Sequence, residues 1–272
     1  MSLLAISLPI ITAILCHVLV LRFSPRLGLV KPNFQKKPIL SSYGLIAFPY
    51  IAAVIGVMTL LQRVQWHYAR LYLSVMTAMW ILGAIDDIFG NRDVGGFKGH
   101  FKKLLFERKL TTGALKALGG GVVALLAGWS IYGPNPVKWL LASAVIALAA
   151  NTLNLLDLRP GRAVAVLFCG LGVTCIVELG HLIAPSICAV VAVFALLFGI
   201  ADSRGRAMMG DSGSNAFGAA LGLTIVLSAP MWMLPAIAVF AAIHIYSEKH
   251  SISALIERNR VLRAIDRCLG VR

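Results

Sequence analysis

Charge is scarce in this chain. Of its 272 residues only 13% are Asp, Glu, Lys or Arg, and the acidic ones number 11. A water-soluble domain needs a polar skin, and a chain that is 59% hydrophobic with a mean hydropathy of +0.85 has too little polar surface to supply one. Disorder is excluded on the same grounds, because disordered chains are poor in apolar residues and rich in charge. Cysteine is sparse as well: Cys16, Cys169, Cys175, Cys188 and Cys268 form no Cys-x-x-Cys pair, and four of them lie inside apolar runs. That excludes a disulfide-stapled module and offers no thiolate metal site. With no low-complexity linker and no evident repeat, the chain reads as a transmembrane domain over 1–247 and a basic tail over 248–272.

What is present is a series of apolar runs, each about 17 to 20 residues long. They lie near 3–21, 43–61, 68–85, 113–131, 138–156, 163–179, 182–200, 214–229 and 231–247, which predicts an all-α polytopic membrane protein of about nine helices. The first is read as a retained span, because a basic loop follows it and no basic residue precedes it. An odd number of spans puts the two termini on opposite sides of the membrane, and the N-terminus is taken as outside and the C-terminus as cytoplasmic. Every basic residue except Arg63, Arg70 and Lys138 then falls inside, as the positive-inside rule expects. The formal charge of +14 is thus explained by topology and anionic lipid, and nucleic acid is not expected as a partner. In the tail, apolar positions 255, 256, 262 and 265 alternate with arginines, a pattern shared by an interfacial amphipathic helix and a solvated basic segment.

Three polar clusters end up on the inner face. The third span ends in Asp86-Asp87, two carboxylates at a helix C-terminus, where the macrodipole and mutual repulsion both oppose them. A cation must compensate, either a lysine or a hard divalent ion such as Mg²⁺. The fifth span ends in Asn151-x-x-Asn154-x-x-Asp157, which places three polar side chains within roughly 120° of one helical face. The eighth opens with Gly210-Asp211-Ser212-Gly213-Ser214, where small residues at a helix N-terminus suit either an N-cap or a bound phosphate.

Asp86-Asp87, Asn151-x-x-Asn154-x-x-Asp157 and Met209-Gly210-Asp211-Ser212-Gly213-Ser214 resemble, in order and spacing, the signatures of the polyprenyl-phosphate N-acetylhexosamine-1-phosphate transferases. The resemblance runs from about Lys36 to Gly218. It implies a bacterial inner-membrane enzyme, with its active site facing the cytoplasm, that transfers a phospho-amino-sugar from a UDP-sugar to polyprenyl (undecaprenyl) phosphate and releases UMP. Mg²⁺, with Mn²⁺ as the alternative, would be held by Asp211, with Asn154 and Asp87 as further ligands. Asp86 or Asp87 would take the proton of the lipid phosphate or help to hold it. Asn151, Asn154 and Asp157 would orient the donor, together with Gly210, Ser212 and Gly213. Lys36, Lys37, Lys98, Arg159 and Arg162 would meet phosphate. A homodimer is compatible with the resemblance.

The chain departs from the family at several points. Pro160 stands where a second acid usually follows Asp157, and Gly90 stands where a lysine often follows the paired acids. The usual histidine-rich loop is replaced by His244, Glu248 and His250. These departures mark a divergent member and keep open a catalytically idle relative that binds lipid or a partner. A transporter, the other alternative, would carry ionisable groups near mid-membrane, where this sequence has almost none.

Overall fold

A computed structural model describes residues 30–33, 35–90, 111–178 and 183–271, with scattered helical residues between Ile11 and Arg22. A short antiparallel hairpin, β1 (Val30–Pro32) and β2 (Pro38–Leu40), precedes eight helices. These are α1 (Tyr43–Leu60), α2 (Trp66–Phe89), α3 (Thr112–Tyr132), α4 (Pro136–Leu156), α5 (Arg162–Val177), α6 (Pro185–Ser203), α7 (Gly210–Ser228) and α8 (Met233–Lys249). Two short helices, α9 (Ile252–Arg258) and α10 (Arg260–Leu269), close the chain. The protein is an all-α polytopic membrane protein.

Among the described residues six helical segments are long and apolar enough to cross a bilayer: α1, α2, α3, α4, α6 and Pro230–Lys249, which joins a 3₁₀ turn to α8. The run at 163–179 forms α5, whose 16 residues are short for a span. The run at 214–229 forms most of α7, which the other helices enclose; every residue but Asp211 and Leu227 is buried. The run at 3–21 lies largely outside the described residues, and so does Cys16. Hydropathy alone does not distinguish a helix wrapped in lipid from one wrapped in helices.

Local chemistry sets the helix ends. Thr111 accepts from Ala114 N (3.2 Å) to start α3, and Asn135 accepts from Lys138 N (3.1 Å), with Pro136 following it, to start α4. α7 is the axis of the bundle and packs chiefly on α4 and α2, with α1 and α5 alongside. Its Gly218-x-x-x-Gly222 stripe brings the backbones of α7 and α4 together: a Cβ added at Gly218 would lie 2.5 Å from Ala150 Cα, and one at Gly222 2.7 Å from Ile146 Cα. Close approach through small residues is how helices associate where no hydrophobic force separates helix from lipid.

The hairpin fastens one end of this axis. Met208 N donates to Leu40 O (2.7 Å), Tyr43 N to Met208 O (3.0 Å) and Gly44 N to Met209 O (2.9 Å). The segment leading into α7 is therefore held as an added strand beside β2, joined through a parallel bridge between Leu40 and Ala207.

Candidate functional site

The polar clusters meet where α2 and α4 end and α7 begins. Asp87 Oδ1 accepts from Asp211 N (2.9 Å), and its Oδ2 accepts from Ser212 N (3.0 Å) and Ser212 Oγ (2.7 Å). Asp157 Oδ1 accepts from Met209 N (3.2 Å) and its Oδ2 from Gly210 N (2.8 Å). Four consecutive N–H groups at the start of α7 are thus taken by two carboxylates from other helices. A helix N-terminus attracts anions because these donors lack internal partners. Here the anions are the protein's own, so none of these four N–H groups is left to cradle a phosphate.

The path of the chain at this point needs glycine. Gly210 has φ +75°, and a Cβ there would lie 2.8 Å from Ser42 Cα and 2.9 Å from Asp87 Oδ2. Gly213 packs against Gly44 at the start of α1, so it shapes the seat of the helix.

Asp86 points the other way. Lys116 Nζ, from the start of the second turn of α3, lies 2.9 Å from Asp86 Oδ2 and 2.6 Å from Asp211 Oδ2, and all three side chains are only partly exposed. Asn154 completes the group. In the amide orientation that satisfies its neighbours, Asn154 accepts from Lys116 Nζ (3.1 Å) and donates to Ser214 Oγ (3.2 Å) and Asp211 Oδ1 (2.5 Å). The compensation that the adjacent acids require is therefore divided: an ammonium answers Asp86, and the positive end of α7 answers Asp87.

Asp157 caps α4 from a buried position. Burial, and then the neighbouring carboxylate of Asp202, hold it well above the usual carboxylate range, while the two backbone donors pull the other way. Asp202 in turn accepts from Gly161 N (2.8 Å), which ties the turn after Asp157 to the end of α6.

Other predicted residues lie elsewhere. Asn151 turns to α8, where its Nδ2 is 3.5 Å from His244 Nδ1, and Thr152 Oγ1 is 3.1 Å from His244 Nε2. Arg162 is buried and gives its guanidinium to Asp266, Nε to Oδ1 at 2.7 Å and Nη2 to Oδ2 at 3.0 Å, with Nη1 to Ser253 Oγ at 2.9 Å. Arg159 lines a cavity beside the tail. Lys36 and Lys37 are exposed in the hairpin turn, which joins the segment before α7 through β2. Lys98 lies outside the described residues.

Lys116 is the residue that the sequence reading missed. It stands in the apolar run 113–131, among the basic residues of the inner side. A lone cation inside such a run is itself a signal, because its charge must find a partner within the bundle.

Among the described residues no three His, Cys, Asp or Glu side chains form a metal-holding group. Asp86 Oδ2, Asp211 Oδ2 and the Asn154 amide nevertheless converge on one point, at present the Lys116 ammonium. Such hard oxygen donors are the type Mg²⁺ accepts, and two carboxylates suffice for an ion that keeps waters and substrate oxygens as its other ligands. An ion bound by these donors would take the place of the Lys116 ammonium. Compared with known proteins, the chain matches no family model and no curated protein sequence.

Proposed function

We propose that the chain is a polyprenyl-phosphate sugar-1-phosphate transferase, taking a phospho-amino-sugar from a UDP-sugar onto undecaprenyl or a similar polyprenyl phosphate. The observation that carries this reading is the convergence of Asp86, Asp211, Asn154 and Lys116 at one end of a bundle of membrane-length helices. A cluster in that position can meet a lipid phosphate from the bilayer and a sugar nucleotide from water. The wider reading has nine spans, with the site and tail in the cytoplasm of a bacterial inner membrane, and rests on the charge distribution and the motif resemblance.

In the reaction, an oxygen of the lipid phosphate forms a bond to the sugar-bearing phosphorus, and the bond from that phosphorus to UMP breaks. Phosphoryl transfer is catalysed mainly by positioning and by neutralising charge. Lys116 supplies a cation that would turn to the migrating group when a metal ion takes its place among Asp86, Asp211 and Asn154. Asp86 is the better candidate to take the lipid-phosphate proton, since both oxygens of Asp87 hold the start of α7. Asp157 keeps the seat of α7 in register. Asp86, Asp211 and Asn154 would hold Mg²⁺, which when bound neutralises the diphosphate and the departing UMP.

One observation favours the idle-relative reading. Asp86 and Asp211 already share the Lys116 ammonium and the N–H groups are taken by Asp87 and Asp157, so the cluster is hydrogen-bonded throughout without a ligand. A UMP-release assay separates the two readings, using purified protein, polyprenyl phosphate, Mg²⁺ and a panel of UDP-amino-sugars. A transferase releases UMP with at least one donor and stops when EDTA is added. Folded protein that releases no UMP from any donor overturns the transferase.

A further inference from the structure

The tail differs in character from the bundle it joins. On α10, Val261, Leu262, Ile265, Cys268 and Leu269 occupy one arc of about 120°, with Arg260, Arg263 and Arg267 on the opposite side. Asp266 lies between the arcs and turns inward to Arg162. The apolar arc has little cover: Val261 is 67% exposed and Ile265 52%.

The tail is also held at a definite level. Arg162 opens α5, and Val271 N donates to Ser203 O (2.8 Å), the last residue of membrane-length α6. A Cβ added at Gly161 would collide with Leu269 O, so the chain fits closely against the turn before α5. α10 therefore sits beside the ends of apolar helices, where hydrocarbon gives way to headgroups.

Its charge matches one kind of surface. Between Ile252 and Leu269 there are four arginines against Glu257 and Asp266, and Arg162 already matches Asp266. A cavity of about 430 Å³ between the tail and the α4–α5 turn adds Arg159 beside Arg263 and Arg267. Hydrocarbon for the apolar arc and phosphate for the arginines are offered together by an anionic leaflet.

We infer that α10 is an interfacial helix that seats its Val261–Ile265 arc in the adjacent leaflet and gathers anionic lipid headgroups around its arginines. This rests on the membrane character of the chain and is independent of the transferase reading. The test uses the full chain in phosphatidylcholine vesicles, with and without phosphatidylglycerol. A diazirine confined to hydrocarbon is photolysed, and the labelled side chains are mapped by mass spectrometry. Leu118 and Leu126, exposed on α3, serve as the internal standard. The expected result is label on Val261 and Ile265, none on Arg260 or Arg263, and a severalfold loss of tail label without phosphatidylglycerol while α3 is unchanged. A bare tail beside labelled α3 would overturn the inference and leave the arc to a second copy or another protein. Tail label that ignores phosphatidylglycerol would overturn the headgroup assignment.

Discussion

Asp87 accepts the backbone N–H of Asp211 at 2.9 Å, while its neighbour Asp86 shares Lys116 with the Asp211 side chain. Two adjacent acids on one helix thus serve opposite ends of one residue on another. Asp87 holds its main chain and Asp86 faces its carboxylate. Their substitution should separate structure from chemistry.

Asp86→Asn keeps its shape and removes a charge, so the fold should survive while UMP release falls about a hundredfold, equal to about 2.7 kcal/mol of barrier. Asp87→Asn sets an amide NH₂ against backbone N–H donors and should cost about 1–3 kcal/mol of stability. Thermal melts in detergent beside the activity assay distinguish the pair. Equal melts for both variants would refute the division of labour.

Lys116→Met leaves Asp86 and Asp211 facing each other without a cation. Melting temperature and activity should both fall. Adding Asp86→Asn and Asp211→Asn to it should restore most of the melting temperature and none of the activity, because the repulsion is gone while the chemistry is still missing. Recovery of activity in this triple variant would place Lys116, Asp86 and Asp211 all outside the reaction.

Gly218→Ala should destabilise by about 2 kcal/mol or more, since the added methyl meets the α4 backbone, which cannot turn aside as a side chain can. Gly121→Ala on α3 meets nothing within 4 Å and should be neutral or slightly stabilising. A side-by-side melt reads the difference.

Asp266→Asn breaks the buried pair with Arg162, and the cost should appear locally as release of the tail. Trypsin should then cut at Arg258 to Arg267 many times faster than in the wild type, with the bundle intact. Exchanging the charges, Arg162→Asp with Asp266→Arg, should restore part of the resistance.

Much of the bundle is legible in the sequence because apolar run length is a local property. The runs 43–61, 113–131 and 138–156 nearly coincide with α1, α3 and α4. The inward arc of α4 is legible at Asn154 and Asp157 but not at Asn151, since a face of roughly 120° can touch two neighbours, here α7 and α8. Arg162 reads as a free cation because Asp266 is 104 residues away. For the same reason Lys116 carries no mark of its link to Asp211, 95 residues on. The Gly210 segment is legible as an anion-binding helix end, but sequence alone cannot tell that the anions come from α2 and α4.

The grip of Asp157 and Asp87 on the four peptide units from Met209 to Ser212 acts as a mechanical detent. A slip of one residue along α7 turns the helix by about 100° and would empty one carboxylate while crowding the other. Sliding between α2 and α4 would also be transmitted to α7, because each holds one half of the same turn. The end of the bundle that carries Asp211 is thereby indexed to a single register.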